Sequence, residues 1–205
     1  QKAHDADADD VWTRRALADM HILCGSPETA VEHFEWIIQR MSSQSRGPNE
    51  LTLCGWCHYG CGRLNPAIRL YSEAISMDPE GSIKSAPFDL ALIIGCSKRY
   101  ERAQREYERA AELASTAHRW LRKGILGVAL SDLTRAMNVR HPHLKESARI
   151  KESLELLRRE YKAASDEADR PRFGLPAGLA QEVERLDLQQ RFLSEIGRAS
   201  CRERV

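Results

Sequence analysis

The chain has 205 residues, with 31 Lys and Arg against 30 Asp and Glu, for a formal net charge of +1. Charged residues make up 30% and hydrophobic ones 42%, which excludes a disordered tail and supplies enough apolar side chain for a core. No run approaches 18 apolar residues, so no segment reads as a membrane span, and the near-neutral charge weighs against a dedicated nucleic-acid binder.

Taken in chain order, residues 1–10 read as an acidic lead-in, and helices are expected over 11–24, 27–41, 50–61, 66–77, 87–97 and 100–113. Pro27 and Pro66 fall in first turns, where a missing N–H costs little, behind Ser26 and Asn65 as candidate N-caps. The links 42–49 and 80–86 are rich in Ser, Gly and Pro and read as loops. Residues 116–138 and 143–164 read as a longer helical pair, broken at Pro142, within a unit spanning 116–165. Pro171, Gly174 and Pro176 mark 166–176 as a linker, and 177–194 reads as a last amphipathic helix. The chain opens on Gln1, not Met, so sequence is expected to be missing upstream. Residues 195–205 resemble the read-through translation of a sequencing adapter and are set aside, with further chain expected beyond. Without Cys201 five cysteines remain, an odd number that favours a reducing, cytoplasmic setting over a disulfide framework.

Self-similarity organises residues 11–115. Ala30, Ala67 and Ala103 recur at steps of 37 and 36. Four residues after each come Phe34, Tyr71 and Tyr107, and three further on Ile37, Ala74 and Ala110. Twelve residues before each alanine sit Ala18, Gly55 and Ala91, and five before lie Gly25, Gly62 and Lys98, where a turn is wanted. Spacings of four and seven put a small–aromatic–small set on one helical face, where small side chains let a neighbouring helix approach and the ring fills the gap.

This pattern resembles the tetratricopeptide repeat family. Gly55, Gly62, Ala67, Tyr71, Ala74 and Pro79 fall at its offsets; Ser42, Lys98 and Ser115 replace its glycine or proline elsewhere, and Arg14, Leu51 and Pro87 stand where an early tryptophan belongs. The repeat exceeds the usual period of about 34 by the length of the links. The resemblance implies an all-α fold, a right-handed superhelical array of helix-turn-helix repeats, with 116–165 as a divergent C-terminal hairpin that caps it.

Cys54-Gly-Trp-Cys57-His58 matches the string that attaches c-type haem, and with Cys61 it offers a thiol-rich set. The spacing i, i+3, i+7 also describes one buried helical stripe, in which cysteine serves as a small hydrophobe. At 1.5 Å rise the stripe spans on the order of 10 Å, whereas zinc takes thiolates at about 2.3 Å. Packing is the expected role, with His58 in place of the family's helix-packing tyrosine. His141-Pro-His143 reads as two histidines exposed at a helix break. No nucleophile elbow or Gly-rich phosphate cradle is present, so no catalytic residue, metal site or cofactor is assigned.

Charge is uneven: residues 1–50 carry nine acidic and five basic side chains, a balance of −4, and residues 115–164 carry eleven basic and five acidic, a balance of +6. Pairs such as Glu155–Arg159 make a solvated helix face the favoured reading over an RNA or acidic-partner patch, and no stacking aromatics accompany the charge.

The family likeness implies that the first helix of each pair lines a groove that takes peptides. It carries the groove positions onto Trp12, Arg15 and Asp19, then Asn49, Thr52, Trp56 and Tyr59, then Phe88 and Leu92. Asp19 stands where a chaperone-tail clamp has asparagine and Thr52 is uncharged, so an apolar or extended peptide is the expected occupant, with Trp56 equally able to pack between repeats. The expected function is a non-enzymatic scaffold for a protein or peptide partner, without membrane or nucleic acid. The alternatives are the regulatory or substrate-recruiting arm of a larger enzyme, such as a transferase, and a haem-bearing export protein.

Overall fold

The computed structural model describes residues 2–41, 47–78 and 84–168. Among these residues the ordered elements are all helical: α1 (Lys2–Leu23), α2 (Pro27–Arg40), α3 (Pro48–Gly60), α4 (Leu64–Met77), α5 (Ala86–Cys96), α6 (Tyr100–Ser115), α7 (Arg119–Arg135) and α8 (Ala148–Ala168). A π-turn (Ala136–Arg140) and a 3-10 turn (Pro142–Glu146) separate α7 from α8.

The turn inside each of the first three hairpins is built the same way. The amide of Gly25 donates to Ile22 O at 3.0 Å and that of Ser26 to His21 O at 2.8 Å. Gly62 and Arg63 repeat the pattern onto Tyr59 O and His58 O, and Lys98 and Arg99 onto Gly95 O and Ile94 O. These are Schellman ends, which need a left-handed residue after the helix. That residue is Gly25 (φ 69°), Gly62 (φ 75°) and, in the third turn, Lys98 (φ 65°). An L side chain in this region costs roughly 1–2 kcal/mol, part of which returns through the stiffer unfolded chain. Lys98→Gly is therefore expected to stabilise the chain by about 0.5–1 kcal/mol, read as a higher urea midpoint at unchanged m-value. A lower midpoint would show that the Lys98 side chain more than repays its backbone strain.

The same turns explain two departures from the sequence reading. Ser26 makes no side-chain cap, because its amide already closes the Schellman turn of α1. Asn65 is not a cap at all, since α4 starts at Leu64 behind Arg63. Other boundaries shift too. The acidic lead-in is helical from Lys2 and continuous with α1, and α3 starts at Pro48, inside the expected link 42–49. The helix expected over 143–164 starts at Ala148 and runs to Ala168, through the first residues of the expected linker. Positions 42–46, 79–83 and 169–205 lie outside the described residues, so the rest of the linker, the expected helix 177–194 and the adapter-like tail fall there.

Packing follows the alternation of small residue and ring. Ala30, Ala67 and Ala103 are fully buried, and Phe34, Tyr71 and Tyr107 nearly so. A Cβ placed on Gly55 would come within 2.8 Å of Tyr71 Cδ2 and 2.9 Å of its Cε2, so only glycine lets α3 settle on that ring. Helices pair as α1·α2, α3·α4, α5·α6 and α7·α8, and successive hairpins join through α2·α3 and α4·α5. At the fourth hairpin the pattern changes: α8, more than α7, leans on α6. The two turns between α7 and α8 supply the slack, and Leu144 from the 3-10 turn is fully buried. Two apolar clusters result. Ala18, Val31, Phe34, Ile37, Leu51 and Leu70 form one; Tyr71, Ile93, Tyr107, Leu126, Ile150 and Leu157 belong to the other.

The thiol stripe lies inside this packing. Cys54 and Cys57 are buried in the first cluster as free thiols, and burial pushes both up to about 12, far from the thiolate that ligates metal. Buried His58 sets Nε2 3.2 Å from Glu35 Oε1, yet burial outweighs that carboxylate and lowers its pKa. His141 and His143 are half-buried, contrary to the exposed break read from sequence. Their rings sit 5.6 Å apart, edge to face, with His141 6.0 Å from the Tyr59 ring and His143 6.4 Å from that of Tyr100.

Candidate functional site

One cavity of about 450 Å³ draws on the first helix of all four hairpins. Arg15 of α1 with Asn49 and Thr52 of α3 supplies part of its polar lining. Arg15 reaches Glu50 Oε1 with Nη1 at 2.7 Å and Asp19 Oδ2 with Nε at 3.3 Å, so two carboxylates already answer its charge. Thr52 donates to its own helix at Asn49 O, 2.9 Å away. Leu53 and Trp56 of α3 and Val128 of α7 give the cavity apolar wall. The remaining polar lining is Tyr71 of α4, Ser85 and Asp89 near the start of α5, and Asp132 of α7.

Two acidic groups on facing helices dominate its electrostatics. Tyr71 donates from its hydroxyl to Asp89 Oδ2 at 3.3 Å. Burial, then the charge of Asp132, pushes Asp89 up to about 8 against the stabilising hydrogen bond from Tyr71. Burial likewise raises Asp132, with Arg135 tempering the effect. Asp89 and Asp132 are half-buried, and no cation among the described residues lowers the pKa of Asp89, so it holds its proton at neutral pH. The Tyr107 hydroxyl, outside the lining, is buried without a hydrogen-bond partner, and burial, then Cys96 and Asp89, push its pKa up.

Of the nine groove positions read from sequence, Arg15, Asn49, Thr52 and Trp56 line this cavity. Asp19 sits beside it through its ion pair with Arg15. Trp12 stands out in solvent, 74% exposed, outside the lining. Tyr59, Phe88 and Leu92 are 6%, 2% and 3% exposed and belong to the core beneath, which corrects their placement in the groove. The cause is rotation along α5. Phe88 and Asp89 are adjacent, hence about 100° apart around the helix, and it is Asp89 that faces the cavity. Trp56 resolves in both directions at once, lining the cavity while packing on the core and lying 5.1 Å from the Tyr59 ring. Sequence reading missed Asp89 and Asp132 altogether. A lone charge in the apolar run of α5, APFDLALIIGC, was the available signal for the first.

Part of the basic stretch of α7 and α8 is neutralised from within. Arg122 bonds Glu160 at 2.8 Å and lies 3.6 Å from Glu167, while Arg149 and Arg158 pair with Glu152 and Glu155. These contacts make it a salt-laced helix face. Among the described residues, no group of three or more His, Cys, Asp or Glu is placed to hold a metal ion, and no helix is long and apolar enough to cross a membrane.

No protein-family model matches the chain, and no curated protein matches it. Solved structures do. The crystal structure of MamA is 15% identical, with a TM-score of 0.52, covering 82% of this chain and 84% of that one. The Sgt2 TPR domain from Aspergillus fumigatus is 14% identical, with a TM-score of 0.47 over 82% and 89% of the two chains. TPR-like repeats of a putative kinesin light chain from Podosopora anserina are 15% identical, with a TM-score of 0.46 over 90% and 94%. At this identity the likeness concerns the fold, which is an all-α, tetratricopeptide-like array of helix-turn-helix repeats.

Proposed function

We propose that the chain is a protein-interaction scaffold, without a reaction of its own, that takes an extended segment of a partner into the cavity between the first helices of its hairpins. The observation that carries this reading is the cavity itself, whose walls come from α1, α3, α5 and α7 in turn. A site assembled from four hairpins suits a ligand lying across the array, and apolar wall from Leu53, Trp56 and Val128 suits side chains that anchor a peptide. The free cysteines favour a reducing, cytoplasmic compartment.

Photo-crosslinking tests the reading. A photoreactive side chain placed at Thr52 or Val128 is expected to join a partner's peptide segment, mapped by mass spectrometry. The same group at exposed Arg105, on the second helix of its hairpin, is expected to join none. Equal yields at Arg105 and Thr52, or adducts at Arg105 alone, would remove the cavity as the binding site.

A further inference from the structure

Resting on the reading of the cavity as a peptide site, we infer that it selects a segment carrying one Lys or Arg, whose cation seats against Asp89 and Asp132. Two observations converge on a cationic occupant. First, the two carboxyl groups sit on facing helices in one cavity, and neither takes part in an ion pair among the described residues; Arg15, the cation of the lining, is held by Asp19 and Glu50. Second, the rest of the wall is largely apolar and aromatic, from Leu53, Trp56 and Val128. That is the lining a long side chain needs to bury its methylene stem while its head reaches a carboxylate, and an indole adds attraction for the cation.

The alternatives fit less well. A divalent metal wants six or more oxygen ligands, or near-octahedral geometry, and two carboxylates with apolar walls offer neither. An acidic or phosphorylated segment would meet like charge. A wholly apolar peptide would leave Asp132 unpaired and Asp89 holding its proton, whereas a cation lets both ionise against it.

The test uses the full chain and a displayed library of random heptapeptides as probe. Selection on the wild-type chain is expected to enrich peptides with a shared Lys or Arg. Replacing that residue by Gln is expected to weaken binding at least tenfold. The Asp89→Asn/Asp132→Asn chain, checked for wild-type helicity by circular dichroism, is expected to lose the same factor and to select peptides with no basic preference. Enriched peptides that crosslink at Thr52 but lack a basic residue, or bind the double variant equally well, overturn the cation site while leaving the cavity as a peptide site. Basic peptides that crosslink at Arg105 and not at Thr52, or no enrichment at all, overturn both.

Discussion

Tyr71→Ala is expected to destabilise the chain by about 3–5 kcal/mol, a fall in melting temperature of about 6–20 °C for a chain of this size. The ring is 2% exposed and lies against the glycine backbone of α3 at Gly55, so its removal leaves a void that no neighbouring side chain can enter without moving a helix. α4 also serves both apolar clusters, with Tyr71 in one and Leu70 and Ala74 in the other, so the loss is felt on both sides. Tyr71→Phe keeps the ring and forfeits only the hydrogen bond to Asp89, at a cost of about 0.5–1.5 kcal/mol. Urea denaturation followed by far-UV circular dichroism separates the two. An alanine cost no larger than that of phenylalanine would mean the interlock of ring and small residue does not hold the repeats together.

Asp89→Asn is expected to work the other way, stabilising the chain by about 2–3 kcal/mol at pH 8, half of the full linkage effect because the side chain is only half-buried, with almost no effect at pH 4. The sign follows from proton linkage. Burial and the neighbouring Asp132 put Asp89 at about 8 in the folded chain against 3.8 as its ordinary value. Between those values the folded state keeps a proton that the unfolded state releases, so the group's contribution is full below pH 4 and is lost as pH rises through 8. Asparagine carries no charge at any of these values, accepts the Tyr71 hydrogen bond equally well, and escapes that loss. Other titrating groups, including the histidines whose pKa burial lowers, are common to both chains and drop out of the difference, except Asp132, which loses a like charge as its neighbour and widens the gap in the same direction. Paired melting curves from pH 4 to 8 give the result. A gap that is constant across the range, or that favours the wild type at pH 8, would show that Asp89 is not held in the poorly solvated site described here.

The repeat was legible because its physics is local. Ala67, Tyr71 and Gly55 state their roles by spacing alone, and even Lys98, out of character for its position, marked the third turn by standing where Gly25 and Gly62 stand. The cavity was legible only as far as the repeat register reaches. α3 buries Leu51, Cys54, Cys57, His58 and Tyr59 around most of its circumference, so Asn49, Thr52 and Trp56 were placed by their positions in the repeat and not by a wet face of the helix. α5 is apolar nearly all round, so periodicity could not say which way it turns, and Phe88 and Leu92 were assigned to a surface that Asp89 occupies. Asp132 lay beyond reach for a different reason. The fourth hairpin lacks the alanine–aromatic signature, and the π-turn and the 3-10 turn that set its pose are dictated by tertiary packing rather than by spacing.

α3 and α4 are a party wall between two rooms, and the cavity is a place where both can be touched at once. Arg15 belongs to the helix packed in the first room, while Asp89 and Asp132 hang from helices that furnish the second. Whatever lodges there becomes a strut across the wall, tying rooms that otherwise meet through those two helices alone. Occupancy is then expected to be a mechanical event as much as a chemical one, bringing the melting of the two rooms together.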